Sequence, residues 1–499
     1  MLLMGLMRFH LPERERVTRE AIQRCYITGL DYVPTPANKS WDGEGALRIE
    51  REIDESGCLH ILWDVEDHGT LLLSTASLME RLRPYLLPVE LARGTLNRLR
   101  TKAALWKLAG LEIDASLAAD IDQGIRSFIR AATSQDKPLL AAQRAEDAIH
   151  VALNAIEGLN QQYAHQVLDR RRQASSPLST LLAGNLGEQI IPENLEPMFA
   201  AAFNSAAVPL NWRAIQPEPN RYDWSVADHQ LKLCLRHRAK VIAGPLIRLD
   251  RQCLPDWVEQ RSWEAGWFAE QIQRFVADTV KRYKGQVHLW HCSAAANLPS
   301  ERLSDEQRVR IMVMALETTR RCDPRTPVIV SFDQPWGEYA SQQPVALPPT
   351  HFAELLIRAE LGLSGIGLEL NLGYWPDGSL PRDLLEIGQL IDEWSLLGLP
   401  LIPILSIPSA CEADSLASRS AASPIRSLRS DCPSMDSQKR WVELLLPMLV
   451  AKQSVQAILW NQVFDSAIHR FAHGGLFDAC SKPKPSLGSV IALRRDYLP

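Results

Sequence analysis

Short apolar runs separated by stretches with helical periodicity dominate the chain from residue 178 onwards. A run that is apolar along its whole length is typical of a parallel strand covered on both faces. The stretches between the runs carry apolar residues at spacings of three and four, which predicts amphipathic helices. Eight strands that alternate with helices predict a (β/α)8 TIM barrel, an α/β fold. The eight runs are residues 181–186, 206–212, 240–247, 286–290, 327–333, 365–372, 399–407 and 455–463.

A doubly wound parallel sheet is the alternative fold for the same pattern. That fold carries a phosphate-binding turn, G-x-G-x-x-G, directly after its first strand. The corresponding stretch of this chain is Gly184, Asn185, Leu186 and Gly187, which does not have the required spacing. We therefore favour the barrel.

The first 177 residues have a different pattern. Residues 1–87 contain short alternating segments, including two apolar runs on either side of a polar turn, and they predict a smaller β-rich domain. Residues 88–177 have helical periodicity, which ends near Pro177. We therefore expect a β-rich domain at 1–87, a helical connector at 88–177 and the barrel at 178–499. The sequence identifies no protein partner for the N-terminal domain.

Charge and hydropathy exclude several classes of partner. The chain has a formal net charge of −5 and is 46% apolar. This balance gives no electrostatic basis for binding nucleic acid or an anionic membrane surface. No apolar run approaches the length of a membrane span, and the N-terminal apolar stretch is too short for a signal peptide.

The nine cysteines are scattered along the chain and include no C-x-x-C pair. This arrangement argues against a disulfide framework and against a structural zinc site, and it is typical of a protein in a reducing compartment. We therefore expect a cytoplasmic protein that needs no metal and no cofactor.

Four segments of the barrel region carry motifs that resemble those of a known family, and they occur in the family's order. They cover about residues 180–495, whereas residues 1–175 show no such likeness. The motifs are LNWRAIQP with RYDW (210–224), LPDWV (254–258), RYKG leading to Trp290, and GLFD with KPKP (475–485). Together they resemble glycoside hydrolase family 10, the endo-β-1,4-xylanase barrels.

The resemblance implies hydrolysis of β-1,4-linked sugars with retention, by two glutamates at the ends of strands four and seven. Such chemistry needs two carboxyl groups about 5–5.5 Å apart. The family's strand-four motif places its acid/base at Ala295, and its strand-seven motif places the nucleophile at Leu405. A shift of one residue would give Ile404 or Ser406 instead. None of these residues is a carboxylate, so both standard catalytic glutamates are expected to be missing.

The same comparison covers the innermost sugar subsite. The family's sugar-binding lysine on strand two is replaced by Asn211, although the adjacent Trp212 is kept. After strand three, the expected histidine near Gly244 is Pro245. Part of this subsite is therefore also expected to be absent.

Other carboxylates at strand ends could supply the chemistry. Asp333 and Glu369 fall at the ends of the fifth and sixth strands, and a pair of this kind could provide an acid and a base. The alternative is that they form structural salt bridges with arginines such as Arg248. Asp250 and Asp465 are further carboxylates at strand ends.

Aromatic and amide side chains at the strand ends predict a saccharide site. Indole and phenol rings stack on the apolar faces of sugars, and amides bond their hydroxyls. The alternative for each aromatic residue is core packing. The predicted substrate-binding residues are Asn211, Trp212, Arg248, Asp250, His291, Asn297, Trp336, Asn371, Tyr374, Trp375, Trp460, Asn461 and Gln462.

Two further features lie in the loops after strands seven and eight. His469 and His473 have the helical spacing of metal ligands, but a third ligand is not evident, so no metal site is predicted. Residues 409–429 are rich in serine and arginine and predict a long mobile loop, with a lid as the alternative.

Three hypotheses follow. The first is a carbohydrate-active barrel that binds a β-linked oligosaccharide or polysaccharide without the standard retaining hydrolysis, and is thus a pseudoenzyme. The second is an active O-glycosyl hydrolase that uses Asp333 and Glu369 as relocated carboxylates. The third is a non-catalytic scaffold that acts through its N-terminal domain.

Overall fold

The computed structural model describes residues 5–29, 31–43, 45–81, 83–174, 177–261, 265–424 and 432–499. Its N-terminal part consists of eight short strands and one short helix. They are β1 (Gly5–His10), α1 (Arg19–Arg24), β2 (Tyr26–Thr28), β3 (Pro34–Thr35), β4 (Asn38–Trp41), β5 (Ala46–Arg51), β6 (Cys58–Val65), β7 (Gly69–Ser74) and β8 (Tyr85–Leu86).

These strands form two four-stranded sheets, in the orders β4-β5-β1-β8 and β3-β2-β6-β7. The predicted hairpin is β6 and β7, which pair in register from His60 opposite Ser74 to Val65 opposite Gly69. Asp67 and Gly69 have positive φ angles of 62° and 73°, as a tight turn between antiparallel strands requires.

Three helices follow the N-terminal sheets: α2 (Leu87–Leu108), α3 (Ala115–Ala132) and α4 (Pro138–Ala174). The Asp114 side chain caps α3 by accepting a hydrogen bond from the Leu117 amide. In α4, residues at spacings of three and four, such as Ile149, Ala152 and Ile156, are buried. The helical pattern of the sequence thus corresponds to a stripe that packs against the rest of the protein.

The remainder of the chain alternates strands and helices. The strands are β9 (Leu181–Asn185), β10 (Ser205–Val208), β11 (Lys240–Ala243), β12 (Ile247–Arg248), β13 (Leu289–Ala294), β14 (Val328–Asp333), β15 (Gly365–Asn371), β16 (Tyr374–Trp375), β17 (Leu401–Ser406), β18 (Ala417–Pro424), β19 (Ala457–Trp460) and β20 (His469–Phe471). The helices are α5 (Glu196–Ala202), α6 (Trp212–Ile215), α7 (Ser225–Arg236), α8 (Asp256–Glu259), α9 (Ala265–Tyr283), α10 (Asp305–Cys322), α11 (Pro349–Arg358), α12 (Leu384–Ser395), α13 (Met435–Ala451) and α14 (Pro485–Tyr497).

Eight of these strands form a closed parallel barrel. Their order is β11-β10-β9-β19-β17-β15-β14-β13, and β13 pairs with β11 to close the ring, with Ile242 opposite Leu289. The predicted (β/α)8 barrel is therefore confirmed. Short strand β12 adds to β13 through Arg248, opposite Ala294.

Alternation along each strand divides the barrel's side chains into two layers. On β17, Ile402 and Ile404 lie in a small cluster inside the barrel, whereas Leu401 and Leu405 belong to the large core between strands and helices. The interior cluster also contains Ala183, Ala207, Ile242, Ile329, Ala457 and Leu459. Inward-facing side chains that come after this apolar layer along the strands therefore lie at the carboxyl end of the barrel.

A three-stranded sheet lies at that end, because its strands follow barrel strands β15, β17 and β19. Its order is β16-β18-β20, with Tyr374 opposite Pro424 and Ala417 opposite His469. The expectation of a structureless loop at 409–429 is thus wrong for residues 417–424, which pair as a strand. Residues 425–429 lie outside the described residues.

The expectation that the cysteines do not pair is also corrected. Cys411 and Cys432 form a disulfide bond that joins the two ends of this segment. Their separation of 21 residues gave no signal of it, because pairing depends on how the segment folds back in space. Disulfides persist in oxidising compartments, so the cysteines no longer support the cytoplasmic location, which remains a prediction.

None of the helices in the described part of the chain combines the length and the apolar character needed to cross a bilayer.

Candidate functional site

Asp333 and Glu369 lie side by side at the carboxyl end of the barrel. They are paired residues on neighbouring strands β14 and β15. Both lie in the inward-facing series, because their neighbours Phe332 and Leu368 belong to the core on the outer face. The two predicted carboxylates are thus brought together, although both are almost completely buried.

Arg248, at the end of β12, lies between them. Its Nη2 is 3.4 Å from Asp333 Oδ2, and its Nη1 is 3.4 Å from Glu369 Oε2. Its Nε donates a hydrogen bond to Asp250, which is more exposed. One guanidinium therefore contacts three carboxyl groups, and the predicted salt bridge of Arg248 is present.

A second arginine, Arg470 on β20, contacts the same two carboxyl groups. Its Nη2 lies 3.2 Å from Asp333 Oδ2 and 3.1 Å from Asp377 Oδ2, and its Nη1 lies 3.8 Å from Glu369 Oε2. We call this group the mouth cluster; it consists of Arg248, Asp250, Asp333, Glu369, Asp377 and Arg470.

The mouth cluster contains four carboxyl groups and two guanidinium groups, so its carboxyl groups are in excess. Burial, and then the charge of Glu369, raises the pKa of Asp333 well above its usual 3.8, against the opposing effect of Arg248. Burial also raises the pKa of Asp377. Asp333 is therefore the member of the pair that is favoured to keep a proton.

A chain of hydrogen bonds holds Glu369 from below. The Ser331 hydroxyl donates to Glu369 Oε1 at 2.9 Å, and Ser331 Oγ lies 2.9 Å from His291 Nε2. Because the hydroxyl hydrogen points to the carboxyl group, His291 Nε2–H donates to the hydroxyl. Burial, with the charge of Arg248, lowers the pKa of His291 to about 3, so the imidazole is neutral. His291 orients Glu369 through Ser331.

Asn297 orients the other member of the pair. Its Nδ2 donates to the Asp333 carbonyl at 2.7 Å, and its Oδ1 accepts from the Asp333 amide at 3.0 Å. The Tyr339 hydroxyl lies 3.2 Å from the same Nδ2. The amide of Asn297 is thus engaged with the main chain of the protein.

The positions of the family's two glutamates hold no carboxylate in three dimensions either. Ala295 follows β13 with a positive φ of 54°. Leu405 faces the outer core, whereas the next residue, Ser406, is on the inward-facing series of β17. Ile404 and Ser406, the two residues that a shift of one would give, both face the barrel interior, so the position of the strand-seven nucleophile stays a prediction. Among the described residues, the Ser406 hydroxyl has no hydrogen-bond partner.

The four predicted stacking aromatics divide into two pairs. Tyr374 and Trp460 are fully buried, and their polar atoms donate to the carbonyls of Ala472 and Gly474 at 3.0 and 3.1 Å. In this structure they present no ring face to a sugar. Trp336 and Trp375, by contrast, are half-buried at the ends of strands five and six.

The predicted residues after strand two, Asn211 and Trp212, are held by contacts within their own region. Trp212 is buried against Phe275, and its Nε1 donates to Gln216 Oε1 at 2.8 Å. Asn211 caps the short helix α6 and donates to Glu188. These contacts anchor the first turn after β10.

On strand eight, the two predicted amides have different surroundings. Asn461 Nδ2 donates to Asn371 Oδ1 at 3.1 Å, next to the mouth cluster. Gln462 instead donates to Asp465, whose carboxylate forms a buried ion pair with Lys484 at 2.6 Å. Asp465 is thus accounted for by structural contacts.

His469 and His473 share one carboxylate, Asp414, with Nε2 of His469 at 2.8 Å. Within the described ranges, no group of three or more His, Cys, Asp or Glu side chains is placed to hold a metal ion.

Sequence reasoning missed three members of the site: Arg470, Asp377 and Ser331. Arg470 lies in a loop 137 residues after Asp333, and its contact depends on the pairing of β20 with β18. Ser331 had a signal, because it is a polar residue two positions before Asp333 in an apolar strand and so shares its face.

The closed barrel with a polar cluster at the carboxyl ends of its strands defines the class: a (β/α)8-barrel protein whose candidate site lies where enzymes of this fold carry theirs. The family model of Glycosyl hydrolase family 10 matches residues 186–304, from the end of β9 to the loop after β13. The resemblance inferred from the motifs is thereby confirmed for this segment, which includes Ala295.

Solved structures of xylanases are also similar to this chain. Xylanase 10B from Thermotoga maritima is 16% identical, with a TM-score of 0.47 over 65% of this chain and 98% of that one. Xylanase 10B from Thermotoga petrophila RKU-1, solved in complex with xylobiose, is 16% identical, with a TM-score of 0.46 over 67% and 97%. A GH10 endoxylanase from a sugarcane soil metagenome is 13% identical, with a TM-score of 0.48 over 63% and 97%.

Proposed function

We propose that the protein binds a β-linked oligosaccharide or polysaccharide at the carboxyl end of its barrel without the retaining hydrolysis typical of family 10. The family match supports a carbohydrate-active barrel. The observation that carries the absence of standard hydrolysis is that neither strand end has a carboxyl group at the expected position: strand four has Ala295, and strand seven has Leu405 with Ile404 and Ser406 beside it.

The mouth cluster supports binding over catalysis. Asp333 and Glu369 each contact two arginines, so neither carboxyl group is free to attack or protonate a sugar without losing these contacts. The more exposed members, Asp250, Asp377 and Arg470, offer charged acceptors and donors for hydroxyl groups at the rim.

Calorimetric titration with xylotetraose and cellotetraose, together with an assay for newly formed reducing ends, tests this function. We expect saturable binding of at least one tetrasaccharide and no reducing ends. Trp336→Ala should weaken binding, whereas Trp106→Ala, which removes a half-buried indole on α2, should leave it unchanged. Absence of binding by the wild-type protein would contradict the proposal and favour a scaffold that acts through its N-terminal domain.

Hydrolysis by relocated carboxylates is the second candidate, and the raised pKa of Asp333 is the observation in its favour. Asp333 would donate its proton to the glycosidic oxygen, and Glu369 would attack the anomeric carbon or activate water. This requires Arg470 to leave the pair. Release of nitrophenol from an aryl β-xyloside that disappears in Glu369→Gln would establish hydrolysis and overturn the binding-only proposal.

A further inference from the structure

Two residues of the N-terminal domain, Arg24 and Tyr26, reach the half-buried indoles at the barrel mouth. Arg24 is the last residue of α1, and its guanidinium lies 4.9 Å from the ring centroid of Trp375. Tyr26 begins β2, and its hydroxyl accepts a hydrogen bond of 2.7 Å from Arg382 Nη2. The guanidinium of Arg382 lies 3.9 Å from the ring centroid of Trp336.

Arg382 joins the loops that follow β14 and β15. Its Nη1 lies 2.8 Å from Glu338 Oε1 and donates to the Leu380 carbonyl at 3.0 Å. The same Glu338 oxygen accepts from the Leu380 amide at 3.1 Å. Because the Arg382 side chain is 1% exposed, these contacts determine where its planar group lies, and Tyr26 supplies one of them from the other domain.

Further contacts hold the N-terminal sheet against the segment that follows β15. The Leu72 amide of β7 donates to the Pro381 carbonyl at 2.6 Å. The Ser74 hydroxyl donates to Glu386 Oε1, at the start of α12, at 2.7 Å. The loop that carries Trp375 and Asp377 is therefore held at its carboxyl-terminal end by the N-terminal domain, in addition to the contact of Arg24 with Trp375.

A cation over an indole covers one face of the ring and leaves the other face for a ligand. Stacking on a sugar requires the free face to have one orientation, because the sugar's other groups are held by hydrogen bonds at fixed positions. Arg24 and Arg382 occupy one face of Trp375 and Trp336, respectively. Both contacts depend on residues that are two positions apart in the N-terminal domain.

We propose that Arg24 and Tyr26 are positioning residues of the saccharide site, and that the N-terminal domain is therefore a working part of that site. Arg24 orients Trp375 directly, and Tyr26 orients Trp336 through Arg382. The inference rests on the proposed saccharide binding and assigns the N-terminal domain a role in it.

Tyr26→Phe and Arg24→Gln test this in the full-length protein, with xylotetraose and cellotetraose as the probes. Tyr26→Phe removes only the hydroxyl group, whereas Arg24→Gln removes the cation over Trp375 together with the ion pair to Glu20. Both changes keep most of the side chain's volume. We expect each to weaken tetrasaccharide binding by about fivefold or more, the effect of misplacing one contact group. Arg24→Lys, which keeps a cation over the indole, should restore most of the affinity.

Two matched controls separate positioning from general damage. Thr28→Val changes the same strand at a hydroxyl whose partner is His60, and Arg19→Gln changes an exposed arginine of the same helix. Both should bind as the wild-type protein does. The ligand-induced change in tryptophan fluorescence should be reduced in Tyr26→Phe and Arg24→Gln at a temperature at which circular dichroism shows each variant to be folded.

The outcomes distinguish the inference from the function on which it rests. If Trp336→Ala loses binding while Tyr26→Phe and Arg24→Gln bind as the wild type does, the positioning role is wrong and saccharide binding stands. The positioning role is also wrong if both control variants lose as much tetrasaccharide affinity as Tyr26→Phe and Arg24→Gln do. If the wild-type protein binds neither tetrasaccharide, the proposed function fails, and the inference fails with it.

Discussion

Two groups of arginines and carboxylates flank the loops after β14 and β15, and they differ in burial. The mouth cluster lies at the carboxyl end of the barrel, and its rim residues Asp250 and Asp377 have side chains that are 40% and 32% exposed. The second group, which we call the interface cluster, lies between the barrel and the N-terminal domain. It consists of Tyr26, Arg98, Glu338, Arg382, Asp383 and Glu386.

The interface cluster is more completely buried, and its most exposed member, Arg98, has a side chain that is 16% exposed. Arg382 and Glu338 are each 1% exposed, and Arg98 of α2 lies 2.9 Å from Asp383. Charges at this depth keep their ionised forms only when partners and hydrogen bonds compensate for lost hydration. Here, nearby carboxylates raise the pKa of Arg382 although burial acts against it.

The mouth cluster uses the same residue types with less complete enclosure. Its carboxyl groups outnumber its guanidinium groups by two, and the pKa values of Asp333 and Asp377 are raised. Carboxyl groups with raised pKa values are readily protonated, and rim residues that are open to solvent can exchange their present partners for a ligand. The two clusters thus contain the same kinds of charged group and differ in the exposure of their rim, and this exposure is what makes the mouth cluster the candidate binding site.

The largest loss of stability is expected from Glu338→Gln in the interface cluster. The change leaves the buried Arg382 without its nearest carboxylate, which should lower the free energy of unfolding by about 3 kcal/mol. Urea denaturation followed by circular dichroism measures it. Glu354→Gln, in an exposed pair with Arg358, is the control and should change little. Equal stability of Glu338→Gln and the wild type would show that the network adds nothing to folding.

Glu369→Gln in the mouth cluster should have an intermediate effect. The amide still accepts from Ser331, while Arg248 and Arg470 keep other carboxyl partners. We expect a loss of about 1–2 kcal/mol in the free energy of unfolding. A loss as large as that of Glu338→Gln would erase the distinction between the two clusters.

The raised pKa of Asp333 predicts that the stability of the protein depends on pH. Because its folded pKa is raised, the folded protein holds a proton that the unfolded chain releases above pH 3.8. The resulting stabilisation is complete below the unfolded pKa and is lost as pH rises towards the folded pKa. As pH rises above about 4, the unfolding free energy of the wild type should therefore fall relative to that of Asp333→Asn.

The exposed Asp136→Asn is the control for this pH series. Its unfolding free energy should follow that of the wild type across the range. Parallel curves for Asp333→Asn and the wild type would contradict the assignment of the proton to Asp333.

The smallest loss of stability is expected at the exposed edge of the interface between α4 and the barrel. Arg440 of α13 lies 2.7 Å from Glu157 of α4, and its side chain is 46% exposed. Solvent screens such a pair, so Arg440→Ala should lower the free energy of unfolding by no more than about 0.5 kcal/mol. A loss above that of Glu369→Gln would mean that exposure is not what separates these ion pairs.

The fold was largely predictable from local patterns. Continuous apolar runs such as 327–333 and 365–372 are long enough for strands buried on both faces, and the helices between them carry apolar stripes. The family motifs between residues 210 and 290 were local as well, and they lie within the family match at 186–304. Strand β18 was missed because its composition is that of a loop, and its pairing partners are distant in sequence.

The candidate site was predictable only in part. The side-by-side placement of Asp333 and Glu369 follows from their positions at the ends of consecutive strands, and alternation assigns both to one face. Motif spacing placed the strand-seven position at Leu405, and it could not show that this side chain faces the outer core. Tyr374 and Trp460 have the composition of stacking residues, yet the loops of their own region bury them.

The sequence by itself determined the order of strands and helices, the lack of a carboxylate at Ala295, and the family that residues 186–304 resemble. These properties depend on residue identity and near-neighbour spacing, which the chain carries directly. Tertiary structure alone decided that Arg470 meets Asp333, that Cys411 pairs with Cys432, and that Tyr26 reaches the barrel. Such contacts join segments far apart in the chain, and only the packing of the whole core sets their distances.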